Sequence, residues 1–182
     1  MKTLLCKLAI AAIALGFALP VVARAQTGDN DGCSNATLKG DYAFTIQGQI
    51  FPPGKPIVGR DGVAMTHFDG RGGLTQVDFV MQYPDPSGNA SPVPGTPDPN
   101  TSFNTGEGGK YTVFDDCTGE MEIDFAPQSA SGPVIKLRFV LSDEGRAIHT
   151  EVYSAMPDGV HPVPALIHSE GRKLGLDRYP LW

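Results

Sequence analysis

Apolar and polar side chains take alternate places along most of this chain, and that period of two constrains the fold more than any other feature. Met121, Ile123 and Phe125 share one parity while Glu120, Glu122 and Asp124 share the other. Ile135, Leu137, Phe139 and Leu141 alternate with Lys136 and Arg138, and Tyr42, Phe44 and Ile46 alternate with Ala43, Thr45 and Gln47. Successive side chains of a strand point to opposite faces, so the pattern predicts strands with one buried face. No segment repeats at the 3.6-residue period of a helix.

The pattern places strands at 39–51, 58–68, 74–83, 110–114, 120–126, 134–142 and 146–154, with a short last one at 165–169. Most are joined by brief connections rich in Gly and Asp, such as Asp69, Gly70, Arg71, Gly72 and Gly73, which suit hairpins. The exception is 84–109, a proline-rich stretch predicted as a long loop. Strands joined mainly by hairpins describe an all-β fold, an antiparallel up-and-down β-barrel of about seven to eight strands, with a β-sandwich as the alternative. If the more apolar parity of each strand faces inward, a barrel pocket would be lined by Phe44, Ile46, Phe79, Met81, Ile123, Phe125, Leu137 and Phe139. Gln76, Asp78 and Gln82 would then face away from it.

The segment 1–25 reads as a signal peptide: Lys2 and Lys7 precede an apolar run from Leu8 to Val22, and Ala23 and Ala25 supply small residues before a cut at Gln26. The run is too short to anchor the chain in a bilayer, where about 20 residues are needed. The remainder, 26–182, then forms a single domain, exported to the periplasm or the medium. Cleavage removes three positive charges and no acid, which takes the net charge from -6 to -9. Nucleic acid and anionic lipid are therefore not expected partners. Oligomeric state is not readable.

Cys33 and Cys117 remain after cleavage, in a compartment where thiols oxidise, and a disulfide between them is expected. It would close a long loop and stabilise the fold by up to roughly 4 kcal/mol. No metal site is expected, because two distant cysteines with no nearby His make a poor zinc set. No cofactor motif is complete. Among the four histidines, His67 shares parity with Val63 and Met65 and is the best candidate for an inward imidazole; Tyr42 is the other weak candidate for a catalytic group. His149 has the parity of Glu151, opposite Ile148 and Val152, and should face solvent.

Three stretches carry a likeness: Cys33-Ser34-Asn35-Ala36-Thr37-Leu38-Lys39-Gly40-Asp41-Tyr42-Ala43-Phe44, His67-Phe68-Asp69-Gly70-Arg71-Gly72, and Lys110-Tyr111-Thr112-Val113 running into Asp116-Cys117-Thr118-Gly119. The chain resembles a group of secreted bacterial proteins of unassigned function, whose barrel is similar to the calycin and allene oxide cyclase class. The resemblance implies a fold more than a chemistry, and it carries over no catalytic residue. Three functions follow as expectations. The first is an exported barrel that binds a small apolar molecule, or serves as an interaction module through its long loop. The second is an allene oxide cyclase-like isomerase or cyclase working in the barrel cavity, and the third a small outer-membrane barrel. Enzyme and binding protein both stay open.

Overall fold

In the computed structural model, residues 32–175 are described, apart from 94, 96, 97, 99, 100, 128, 130 and 131. The segment 1–25 read as a signal peptide, and the cut expected before Gln26, lie outside the described residues. Nine strands occur among them: β1 (Lys39–Ile50), β2 (Val58–Asp69), β3 (Gly73–Tyr83), β4 (Ser91–Pro92), β5 (Asn104–Val113), β6 (Thr118–Asp124), β7 (Val134–Ser142), β8 (Ala147–Met156) and β9 (Ala165–Lys173). Every pairing is antiparallel. Each long strand pairs with the next, and β9 returns to β1, so eight strands close into a barrel; β4 covers the part of the β3 edge that β5 leaves free. The barrel, not the sandwich, is the fold. Closure leaves no open edge among the eight long strands, which removes the main hazard of an all-β chain.

The predicted strand positions hold, with one revision: β5 begins at Asn104 and β4 occupies Ser91–Pro92, so the 84–109 segment is part strand. Its Gly and Asn content hid the strand, since both are poor strand formers.

The two ends of the barrel differ. One is packed solid. Phe68 lies edge-on between Tyr42 and Tyr111, with ring centroids 5.3 and 5.1 Å away, and Leu38, Leu74, Phe139 and Ile148 are buried near it. Two interior glycines make room for aromatic rings: a side chain at Gly171 would meet the Phe44 ring at 2.5 Å, and one at Gly119 would overlap Phe139. The buried phenols are also satisfied. Tyr42 donates to the Gly145 carbonyl, while Tyr111 donates to the Leu38 carbonyl at 2.8 Å and accepts from the Gly70 amide at 2.9 Å. Burial pushes the Tyr42 hydroxyl up to about 12, so it stays protonated.

The segment before β1 closes this end. Cys33 is bonded to Cys117, Asn35 Oδ1 accepts from the Val113 amide at 2.7 Å, and Leu38 is fully buried. On the outer wall, acids of β6 pair with bases of β5 and β7: Glu122 with Lys110 and Lys136 at 3.2 and 3.3 Å, and Glu120 with Arg138 at 3.3 Å. These pairs are exposed and contribute little individually.

Two strands are turned over relative to the sequence reading. On β3 the buried residues are Leu74, Gln76 and Asp78, while Tyr83 is exposed and Val77, Phe79 and Met81 stand on the outward parity. On β2, Ala64, Thr66 and Phe68 face in, whereas Val63 and Met65 are exposed. The period of two is correct and the choice of face is not. Apolar residues line the outside of these two strands, and a one-residue parity choice inverts a whole strand.

The disulfide joins residues 84 apart in sequence and ties down the plug of the packed end. Replacing Cys33 and Cys117 by Ser should lower the urea unfolding free energy by up to about 4 kcal/mol, while the far-ultraviolet circular dichroism spectrum stays that of a β-protein.

Candidate functional site

Above the aromatic floor the interior opens. A cavity of about 340 Å³ lies between the middle of the barrel and its other end, where Val93 and Gly95 of the long loop, Pro133 and Pro157 meet its rim. One side is apolar, formed by Phe44, Ile46, Ile123, Phe125, Ile135 and Leu137. The opposite side, built by β2, β3 and the start of β5, carries polar side chains at both rim and floor, with Ala64 and Val80 between them.

The polar side follows from strand geometry. Register pairs Arg60 with Gln82, Ala64 with Asp78 and Thr66 with Gln76, and each of these side chains is on an inward parity. Between Gln76 and Asp78 the ladder with β5 shifts: Gln76 faces Glu107 but Asp78 faces Asn104, so β5 carries one extra residue there. Gly106, with φ of 78°, sits in that bulge. The bulge turns both Asn104 and Glu107 into the barrel, although their spacing of three would put them on opposite faces of a regular strand.

The side chains form a continuous relay. Thr66 Oγ1 donates to Gln76 Oε1 at 2.8 Å, Gln76 Nε2 donates to Glu107 Oε2 at 2.9 Å, and Asn104 Nδ2 donates to Asp78 Oδ1 at 2.8 Å. Glu107 and Asp78 are 4 % and 3 % exposed, so their charges would be poorly solvated together. Burial first, and the neighbouring Asp78 charge second, push the Glu107 carboxyl up to about 8. Burial also raises Asp78, with the Asn104 hydrogen bond opposing it. Two adjacent buried carboxyls ionise as a pair, and one proton stays in the site at neutral pH. Nearer the rim, Arg60 Nη1 donates to Gln82 Oε1 at 2.8 Å, and burial lowers its pKa.

The residues singled out in the sequence divide between this cavity and other places. Phe44, Ile46, Ile123, Phe125 and Leu137 line it. Phe139 is buried in the core but does not line the cavity. Phe79 and Met81 are corrected: they belong to the outward parity of β3, where Phe79 packs its ring 6.0 Å from that of Phe103. His67 is corrected too. It is on the outer wall with its side chain 57 % exposed, and its Nδ1 lies 2.7 Å from Asp41 Oδ1. Tyr42 is interior, yet its hydroxyl is engaged by Gly145 below the cavity. His149 faces outward as expected, 3.7 Å from Glu170. Among the described residues no group of His, Cys, Asp and Glu is arranged to hold a metal.

The sequence reading missed the relay because it equated interior with apolar. A signal was present: Gln76, Asp78 and Gln82 recur at a spacing of two or four on one parity, and a row of uncharged and acidic polar residues on a strand fits a lined cavity as well as a solvated face. Comparison with known protein families, with curated proteins and with solved structures finds no match to this chain.

Glu107 gives the fold a pH dependence with a definite sign. The folded carboxyl keeps its proton to about pH 8, whereas the unfolded chain releases it near 4.5. Between those values the folded state binds more protons, so stability is full below the lower value and declines as pH rises to the upper one. Urea unfolding at pH 5 and 8.5 should show this decline. Glu107→Gln should flatten it and exceed the wild type at pH 8.5 by about 1 kcal/mol or more.

Proposed function

We propose that this protein is an exported binding protein that holds one small, mainly apolar molecule inside its barrel. The observation that carries the reading is the cavity: about 340 Å³, within the range of roughly 300 to 1,000 Å³ usual for small-molecule sites, and apolar with a few convergent polar groups, as such sites are. An eight-stranded barrel can be filled by its own side chains or hold one small ligand. Here the packed aromatic end takes the first course and the polar end the second.

Export is supported by the Cys33–Cys117 disulfide, which suits an oxidising compartment, together with the leader-like segment 1–25. The resemblance to secreted bacterial proteins with calycin-like barrels points the same way. The interaction-module version draws less support, because Val93 and Gly95 of the long loop are spent on the cavity rim. The outer-membrane reading is disfavoured by the outer wall, where Lys110, Glu120, Glu122, Lys136 and Arg138 stand in place of the apolar band that lipid requires.

One observation favours a second reading, an isomerase or cyclase of the allene oxide cyclase kind. A carboxyl that keeps its proton at neutral pH can donate a hydrogen bond to a substrate oxygen, and Glu107 is such a group beside the cavity. Under that reading Glu107→Gln would abolish turnover and spare binding.

Native mass spectrometry of the mature protein from its own host should show added mass that disappears on denaturation. N-phenyl-1-naphthylamine, a small neutral fluorescent probe, should brighten on binding, and Ile135→Trp, which fills the cavity, should abolish the enhancement without lowering the melting temperature. A bare mass and an indifferent probe would instead favour a structural or interaction role.

A further inference from the structure

Arg60 is the one cation on the cavity wall among the described residues. Its guanidinium has five N–H donors in a planar fork suited to a carboxylate. Among the described residues it spends one of them on a neutral acceptor, Gln82 Oε1, and no carboxylate lies within 4 Å of it. The outer wall differs, since Arg138, Arg146 and Arg172 all reach an acid there. A partly buried charge with a neutral partner costs the fold free energy and returns little.

Its surroundings favour an anionic guest at that point. At Gly62, the next inward position on β2, Val80 of β3 occupies the place a side chain would take, so the wall beside the guanidinium is apolar and carries no acid. Asp78, the acid that would repel an anion, is paired with Ala64, four positions further along the strand from the Arg60 level, or about 13 Å at the usual rise. Glu107 is deeper still, opposite Gln76. The apolar wall of Phe44, Ile123 and Leu137 extends inward from the same opening.

Building on the binding function proposed above, we propose that the guest is an amphipathic carboxylate, its acid group held in the Arg60 fork near the rim and its hydrocarbon part lying against the apolar wall. Arg60 thereby selects an acid over the neutral molecule of equal length. Charge-assisted, two-pronged bonds are the strong kind, and they are stronger where water is thin.

The test is displacement of N-phenyl-1-naphthylamine at pH 7 by decanoate, 1-decanol and decylamine, on the wild type, Arg60→Gln and Arg60→Lys. Decanoate should displace the probe from the wild type at a concentration at least tenfold lower than decanol. Arg60→Gln should erase that preference by weakening decanoate alone, with decanol and probe affinities unchanged; Arg60→Lys should keep part of it. Equal binding of acid and alcohol, or a preference that survives Arg60→Gln, would overturn the assignment while leaving the pocket intact. Tightest binding of decylamine would also overturn it and move recognition to Asp78. A probe that fails to bind the wild type at all would instead overturn the underlying binding function.

Discussion

Closure of the sheet is the constraint on which everything else in this molecule depends. Once β9 pairs with β1, backbone hydrogen bonding is completed around the ring and the inward side chains face one another across a fixed width. That width admits one layer of side chains from each wall. Where those are Phe68, Tyr42, Tyr111 and Leu38 the layer is continuous. Where Ala64, Thr66, Gln76 and Asp78 take their turn on β2 and β3, the walls no longer meet and a cavity results. The cavity is therefore a property of composition along two strands, set within a closed frame.

The polar wall is tolerable because its members answer one another. Each buried carboxyl accepts from a neutral amide, the amide of Gln76 is itself held by Thr66, and among the described residues no buried side-chain nitrogen or oxygen lacks a partner. Such a network is rigid when complete and costly when broken. The β5 bulge is what completes it, since a regular strand could aim either Asn104 or Glu107 inward but not both.

Much of the fold was legible in the sequence, because alternation and turn residues are local signals. Strand positions on β1, β2, β3, β6, β7 and β8 follow from them, and eight hairpin-linked strands imply a barrel. The site was less legible, for a specific reason. On β6 and β7 charged residues alternate with apolar ones, so the faces name themselves, and Ile123 and Leu137 are buried. On β3 the choice was between Val77, Phe79, Met81 and Gln76, Asp78, Gln82, and the barrel puts the polar set inside, where β5 completes the hydrogen bonds of Gln76 and Asp78 and Arg60 that of Gln82. That reward is non-local: it involves Asn104 and Glu107, which lie far along the chain from β3 in a segment whose composition resembles a loop. His67 was misplaced by the same inversion of β2.

Strand direction gives the barrel a polarity with a practical side. Cys33, through its bond to Cys117, fixes the start of the described chain at the packed end, and β9 finishes there as well, with Lys173 opposite Tyr42. Both ends of the described chain thus emerge at the face opposite the cavity rim. A label attached at an exposed residue of that face, such as Glu144 in the turn between β7 and β8, would leave the opening clear, so the barrel is arranged like a cup with its handle on the base.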